Sequence, residues 1–185
     1  MASSTITEPI QHIALNLTDQ LPILQILLPL IAAPVIVVLG LRQLAWALAF
    51  FSSIGSLVIA YLLLQNVLDG SEISYRLGGW APPIGIEYRI DAASAFVLLL
   101  ISSISSVVLL WSREGLKREV PERNHALFYA LFLLCLTGLL GVVITGDAFN
   151  VFVFLEISSL STYVLIAQGS YNDKRALTAS YNYLI

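Results

Sequence analysis

Charge is what this chain has least of. Only 11% of its 185 residues are Asp, Glu, Lys or Arg, two are histidine and one is cysteine. The single cysteine, Cys135, excludes an internal disulfide and a cluster of thiolate ligands, and no glycine-rich loop of the kind that cradles phosphate occurs. No metal site and no bound cofactor are therefore expected, and any redox chemistry would belong to a partner. His12 sits in the N-terminal tail and His125 at the edge of an apolar run. A formal charge of -3 without a basic cluster argues against nucleic acid. The first 20 residues contain no Lys or Arg, so the basic segment of a secretory signal is missing and the first apolar run is expected to be retained.

What the chain has in abundance is apolar length. Hydrophobic residues make up 58% of it and mean hydropathy is +0.86, values outside the range of soluble domains. Apolar runs cover residues 21–40, 44–65, 92–111, 126–145 and 148–168, and about 20 such residues suffice to cross a bilayer as a helix. The expected fold is an all-α integral membrane protein: a polytopic helix bundle of five full transmembrane helices plus part of a sixth, with a short external β-hairpin. Residues 1–20 form an external tail, 21–112 the first three helices, and 113–125 a loop, with the last pair of spans and the partial helix in 126–185.

Orientation follows from the cations, since cytoplasmic connections are enriched in Lys and Arg. Arg42, Arg113, Lys117, Arg118, Arg123, Lys174 and Arg175 fall on one side, against Arg76 and Arg89 on the other. That asymmetry predicts a multi-pass protein of the plasma membrane with its N-terminus outside and the 113–125 loop in the cytoplasm.

The longest connection, residues 66–91, carries a second periodicity. Ile73, Tyr75 and Leu77 alternate with Glu72, Ser74 and Arg76, and Ile84, Ile86, Tyr88 and Ile90 alternate with Gly85, Glu87 and Arg89. Period two is the signature of strands, and the intervening GGWAPP supplies the residues of a reversal. Asp91 is placed to cap the helix that follows.

One acid breaks the apolar pattern. Glu156 lies in TGDAFNVFVFLEISSLSTYVLIAQG, residues 145–169, roughly 12 Å along a helix that starts at Ala148 and hence near the middle of a hydrocarbon core about 30 Å thick. A carboxyl at that depth is either hydrogen-bonding glue between helices or a group that loads and releases protons. Helical spacing puts it on one face with Phe149, Phe152, Ser159, Leu160 and Tyr163, with Ser158, Ser161 and Thr162 elsewhere. Ser159 and Tyr163 can line a water chain or serve close packing. Asp147, in a very short connection that makes the fourth and fifth helices antiparallel neighbours, is a helix cap or a point of proton uptake at the outer surface. Asn150 fits a cap partner or an interhelical hydrogen bonder, and Lys174 a cytoplasmic anchor or a proton exit.

The 145–169 segment, with the KRALTASYNYLI that ends the chain, resembles the fifth and sixth helices of the antiporter-like subunits shared by respiratory complex I and the multisubunit sodium/proton antiporters. LGGWAPPIGIEYRIDAASA, residues 77–95, looks more like the D-type subunit of the antiporters than the complex I relatives. The resemblance implies a proton channel of two inverted five-helix repeats with broken helices, in which residues 126–185 form the opening of the first repeat. It also implies that Glu156 pairs with a lysine on the seventh helix, a residue this sequence does not contain. Ten residues from 176 to 185 extend roughly 15 Å as a helix and would leave backbone carbonyls unpaired in hydrocarbon, so a longer reading frame is expected.

Three functions remain open on these grounds. The first is a subunit of a monovalent cation (sodium)/proton antiporter complex, contributing part of a proton path beside other subunits, the lipid bilayer, protons and a monovalent cation. The second is a proton-pumping membrane subunit of a complex I-like NADH:quinone oxidoreductase. The third is a membrane scaffold that transports nothing. In none of them is the chain itself an enzyme.

Overall fold

The computed structural model of the chain describes residues 19–40, 42–77, 85–169 and 175–184. It has five helices long and apolar enough to cross a membrane: α1 (Leu21–Leu39), α2 (Arg42–Val67), α3 (Ala92–Glu119), α4 (His125–Ile144) and α5 (Ala148–Ala167). A shorter α6 (Arg175–Leu184) follows, and strands β1 (Ile73–Arg76) and β2 (Glu87–Ile90) lie between α2 and α3. The helical membrane bundle and the small hairpin expected from periodicity are both present. The GGWAPP reversal, Ile84 and Lys174 lie outside the described residues.

Helix ends are built as the sequence dictates. Gly40 closes α1 at φ 60°, a left-handed conformation that glycine adopts without a Cβ penalty, and its N–H donates to Ile36 O at 3.1 Å. Asp91 caps α3 through a reciprocal pair: its carboxylate accepts from Ser94 N at 2.8 Å, and Ser94 Oγ accepts from Asp91 N at 2.8 Å. Pro29 and Pro34 lie inside α1. Each withdraws an amide donor, a loss that membrane helices tolerate where neighbours or side chains take up the freed carbonyl.

One boundary differs from expectation. Residues 113–119 are helical, not loop, because α3 continues through Glu119. Its 28 residues extend about 42 Å, more than the roughly 30 Å of hydrocarbon. Good helix formers carry the excess turns, with Lys117 Nζ bonded to Glu114 Oε1 at 2.7 Å one turn apart. Charge there marks where the bilayer ends, not where the helix does.

The core is polar as well as apolar. Helices α2 and α3 pack closely, with Ser53 Oγ and Ser106 Oγ 3.0 Å apart and the Trp46 indole N–H donating to Leu109 O at 3.0 Å. Gln25 of α1, fully buried, donates to Ser102 Oγ at 3.4 Å. Around them Ala49, Ala60, Leu63, Leu98 and Leu109 are completely shielded. In a bilayer such close seams of small and hydroxyl residues replace the hydrophobic driving force that water would supply. Helix α4 packs mainly against α1 and α5.

The hairpin is antiparallel, with Ile73 opposite Ile90 and Tyr75 opposite Tyr88, and the two tyrosine rings stack at 6.5 Å. Arg89 Nε donates to Glu72 Oε2 at 3.0 Å across the exposed face. Ile90 is completely buried and Tyr88 nearly so. Burial, reinforced by the neighbouring Tyr75, pushes the Tyr88 hydroxyl above its usual pKa.

The hydrogen bonds from Ser94 hold the Asp91 carboxyl below the usual carboxylate pKa. A depressed folded value means that the cap stabilises α3 above the unfolded pKa of about 3.9 and is lost as pH falls through the lower folded value. Asp91→Ala should destabilise the detergent-solubilised protein by about 1 kcal/mol at neutral pH, while Asp91→Asn retains most of the stability. Thermal unfolding of the three proteins measures the difference.

Candidate functional site

The site is organised by the α4/α5 pair. After Ile144 the chain passes through Thr145 and Gly146, both without a turn of helix, and re-enters helix at Ala148. Asp147 caps α5, its Oδ1 accepting from Phe149 N at 3.2 Å. The capping role read from the sequence is thus what the structure places there, and the side chain is half-buried.

Two glycines bring the helices together. A Cβ on Gly138 would lie 2.7 Å from Phe154 O and from Ser158 N and Cβ, and one on Gly141 would meet the Phe154 ring at 2.3 Å. Sequence reasoning did not single out either residue, although small residues in an apolar helix let a neighbouring backbone approach closely. Cys135 of α4 joins the same seam, its Sγ 3.2 Å from Thr162 Oγ1 and 3.7 Å from Ser158 Oγ. Ser161 and Thr162 bond back to Ile157 O and Ser158 O at 2.7 and 2.8 Å. Ser158, Ser161 and Thr162 are therefore packing residues.

That seam uses one side of α5 and leaves the other free. Phe149 is 71% exposed and Phe152 61% exposed, and Leu155, Glu156, Ser159 and Leu160 are exposed with them. Glu156 makes no hydrogen bond or ion pair among the described residues, and the sequence holds no Lys or Arg from 124 to 173. Tyr163, a further turn along, is half-buried, and its carbonyl accepts from Ser180 Oγ of α6 at 2.9 Å. Glu156, Ser159 and Tyr163 thus follow one another along a single face, at helical positions i, i+3 and i+7. Asp147 stands apart at the N-terminal end of the helix, roughly 13 Å away along the axis. Asn150 is turned into the bundle and 7% exposed, and its Nδ2 has no partner among the described residues. No group of three His, Cys, Asp or Glu side chains able to hold a metal occurs among the described residues.

A five-span bundle with a hairpin at one end and an acid on a free helix face describes a polytopic membrane protein, and the comparisons narrow it. No family model matches the chain. The N-type subunit of the NADH-quinone oxidoreductase of Desulforudis audaxviator is 37% identical over 172 residues, 91% of this chain and 34% of that protein. The D-type subunit of a probable K(+)/H(+) antiporter of Rhizobium meliloti is 35% identical, over 82% of this chain and 29% of that protein. The D-type subunit of the Na(+)/H(+) antiporter of Alkalihalophilus pseudofirmus is 29% identical, over 90% and 33%.

Among solved structures, a chain of the membrane-bound sulfane sulfur reductase, an archaeal respiratory membrane complex, superposes with a TM-score of 0.79 at 35% identity, over 89% of this chain and 33% of that one. A chain of the Mrp complex from Dietzia sp. superposes with a TM-score of 0.78 at 26% identity, over 91% and 31%. The chain is thus homologous over most of its length to the D-type subunits of cation/proton antiporters and the N-type subunits of NADH-quinone oxidoreductases, as its motifs led one to expect. It spans about a third of the length of the relatives it matches.

The glycine seam makes a graded prediction. Gly138→Ala sets a Cβ against backbone, which cannot yield, and should destabilise the detergent-solubilised protein by about 1–3 kcal/mol. Gly141→Ala meets the Phe154 side chain, Cγ included, which must swing away about χ1 rather than spin in place, and should cost less because no backbone has to move. Wild-type Tm values for both variants would contradict the close approach.

Proposed function

We propose that the chain is a membrane subunit of a monovalent cation/proton antiporter complex and contributes part of its proton path, with Glu156 as the group that carries the proton. The observation that carries this reading is the carboxyl of Glu156 on the free face of α5, midway along a helix long and apolar enough to cross a membrane and without a partner on the chain's own described helices. A bare carboxylate facing acyl chains is costly, so that face meets a polar or cationic group, or water, supplied by the rest of the assembly. An acid that served only as glue within this bundle would point into the α4/α5 seam. Glu156 points away from it.

Ser159 and Tyr163 continue the path inward from Glu156, and Lys174 is the candidate for its cytoplasmic end. Asp147 caps α5 and also offers the outer surface a carboxylate at the head of the same helix. The side assigned by the cations places the N-terminus outside the plasma membrane, and α5 then runs from outside to inside. In this function the chain moves ions within a complex of several subunits and performs no chemistry of its own.

The 37% identity to the N-type subunit of an oxidoreductase favours a second reading, in which the same module serves an oxidoreductase complex whose redox centres lie in other subunits. Neighbouring genes for flavin and iron–sulfur subunits, in place of antiporter subunits, would identify it.

Glu156→Gln keeps shape and hydrogen bonding but cannot titrate. In inverted vesicles carrying the whole complex, this variant should assemble normally and lose at least about 90% of cation-coupled proton movement, the tenfold or greater loss expected when an essential proton carrier is removed. Unchanged transport would end the proton-carrier role.

A further inference from the structure

Strand β2 is paired along both edges. One edge carries β1; against the other, Tyr88 and Thr145 face each other in an antiparallel bridge, and the Gly146 N–H donates to Glu87 O at 2.9 Å. The connection between α4 and α5 is therefore extended and held to β2 by a single bridge, with Thr145 at φ -75°, ψ 134° and Asp147 at φ -120°, ψ 129°. Gly146 has no positive φ, so backbone freedom does not explain why glycine stands there. The space there is limited: a Cβ would lie 3.3 Å from Glu87 O and 3.7 Å from Arg89 Cβ, which admits a methyl after a small shift but leaves little room for a branched side chain.

The same strand runs directly into the Asp91 cap of α3, and its partner segment runs directly into the Asp147 cap of α5. Tyr88 and Ile90 anchor it in one end of the bundle. Two helices that are distant in sequence thus take their starting level from one half-buried strand. A helix is stiff over this distance, so a displacement of its first turn is carried to Glu156, nine residues beyond Asp147 and roughly 13 Å along the axis.

We propose that Gly146 is a positioning residue: by allowing the α4–α5 connection to pair with β2, it sets the depth and rotation at which α5 presents Glu156. The inference rests on the proton-carrying role of Glu156. It assigns the hairpin a task, since β2 acts as a fixed stop for the helix that bears the acid.

The test uses the assembled complex in inverted vesicles, with cation-driven proton uptake followed as a function of pH for the wild type, Gly146→Ala, Gly146→Val and Glu156→Gln. Gly146→Ala, whose Cβ needs only a few tenths of an ångström, should stay within about twofold of the wild-type rate with the same pH midpoint. The branched side chain of Gly146→Val forces the connection off β2, and should lower the rate about tenfold and move the pH midpoint by about half a unit or more, because the surroundings of the titrating group change. An assembled Gly146→Val with wild-type rate and midpoint overturns the positioning role.

If Gly146→Val does not assemble, the pair Arg89→Cys and Gly146→Cys reads the same contact, since 3.7 Å between Cβ positions suits a disulfide. The bridge should form on oxidation, and the oxidised complex should keep the pH midpoint of its reduced form. Failure to cross-link, or a midpoint that moves on oxidation, overturns the inference. Wild-type transport in Glu156→Gln overturns the proton reading and this one with it. Loss of transport there beside an unaltered Gly146→Val overturns the positioning role alone.

Discussion

Everything about the candidate site depends on how closely α4 and α5 approach at Gly138. With no room for a Cβ between that residue and the backbone of Phe154 and Ser158, only one side of α5 can face α4. The side is chosen by hydroxyls: Ser158, Ser161 and Thr162 fill the seam, with Cys135 opposite. Glu156, two positions from Ser158 and so on another face, is turned outward as a result. In water a helix is rotated by burying its apolar face, but in a bilayer that force is absent and close contact between small residues takes its place.

The remainder of the bundle follows the same logic with different residues. Serines from α2 and α3 meet at 3.0 Å, a buried glutamine ties α1 to α3, and Gly55 leaves a gap into which Leu28 reaches. At the hairpin end the strategy changes, because the α2–α3 connection is long enough to fold back as strands whose backbone groups pair with one another. Strand β2 then supplies a second set of partners to the α4–α5 turn. The acid-bearing helix is consequently held at two levels, by strand pairing at its head and by glycine packing through its middle.

Much of this was legible beforehand, and for identifiable reasons. The five spans follow from apolar length, the hairpin from strict alternation at 72–77 and 84–90, and the caps at Asp91 and Asp147 from residue type beside an apolar run. The face shared by Glu156, Ser159 and Tyr163 follows from 100° per residue alone. The end of α3 was misjudged because Arg113, Lys117 and Arg118 signal the edge of the bilayer, and that signal says nothing about whether the helix stops. The glycine seam went unread because α4, which carries both glycines, is apolar on most of its circumference, so hydrophobic periodicity cannot say which face packs. The strand pairing of Gly146 is non-local, and no property of residues 145–147 alone announces it.

The central claim is that the free face of α5 carries a carboxyl that changes state during ion exchange. Infrared difference spectroscopy of the assembled complex, recorded as the coupling cation is added and removed, tests it most directly. The account predicts a reversible change in the carboxyl stretching region that disappears in Glu156→Gln. A spectrum in which every carboxyl band is the same in the wild type and in Glu156→Gln would contradict it.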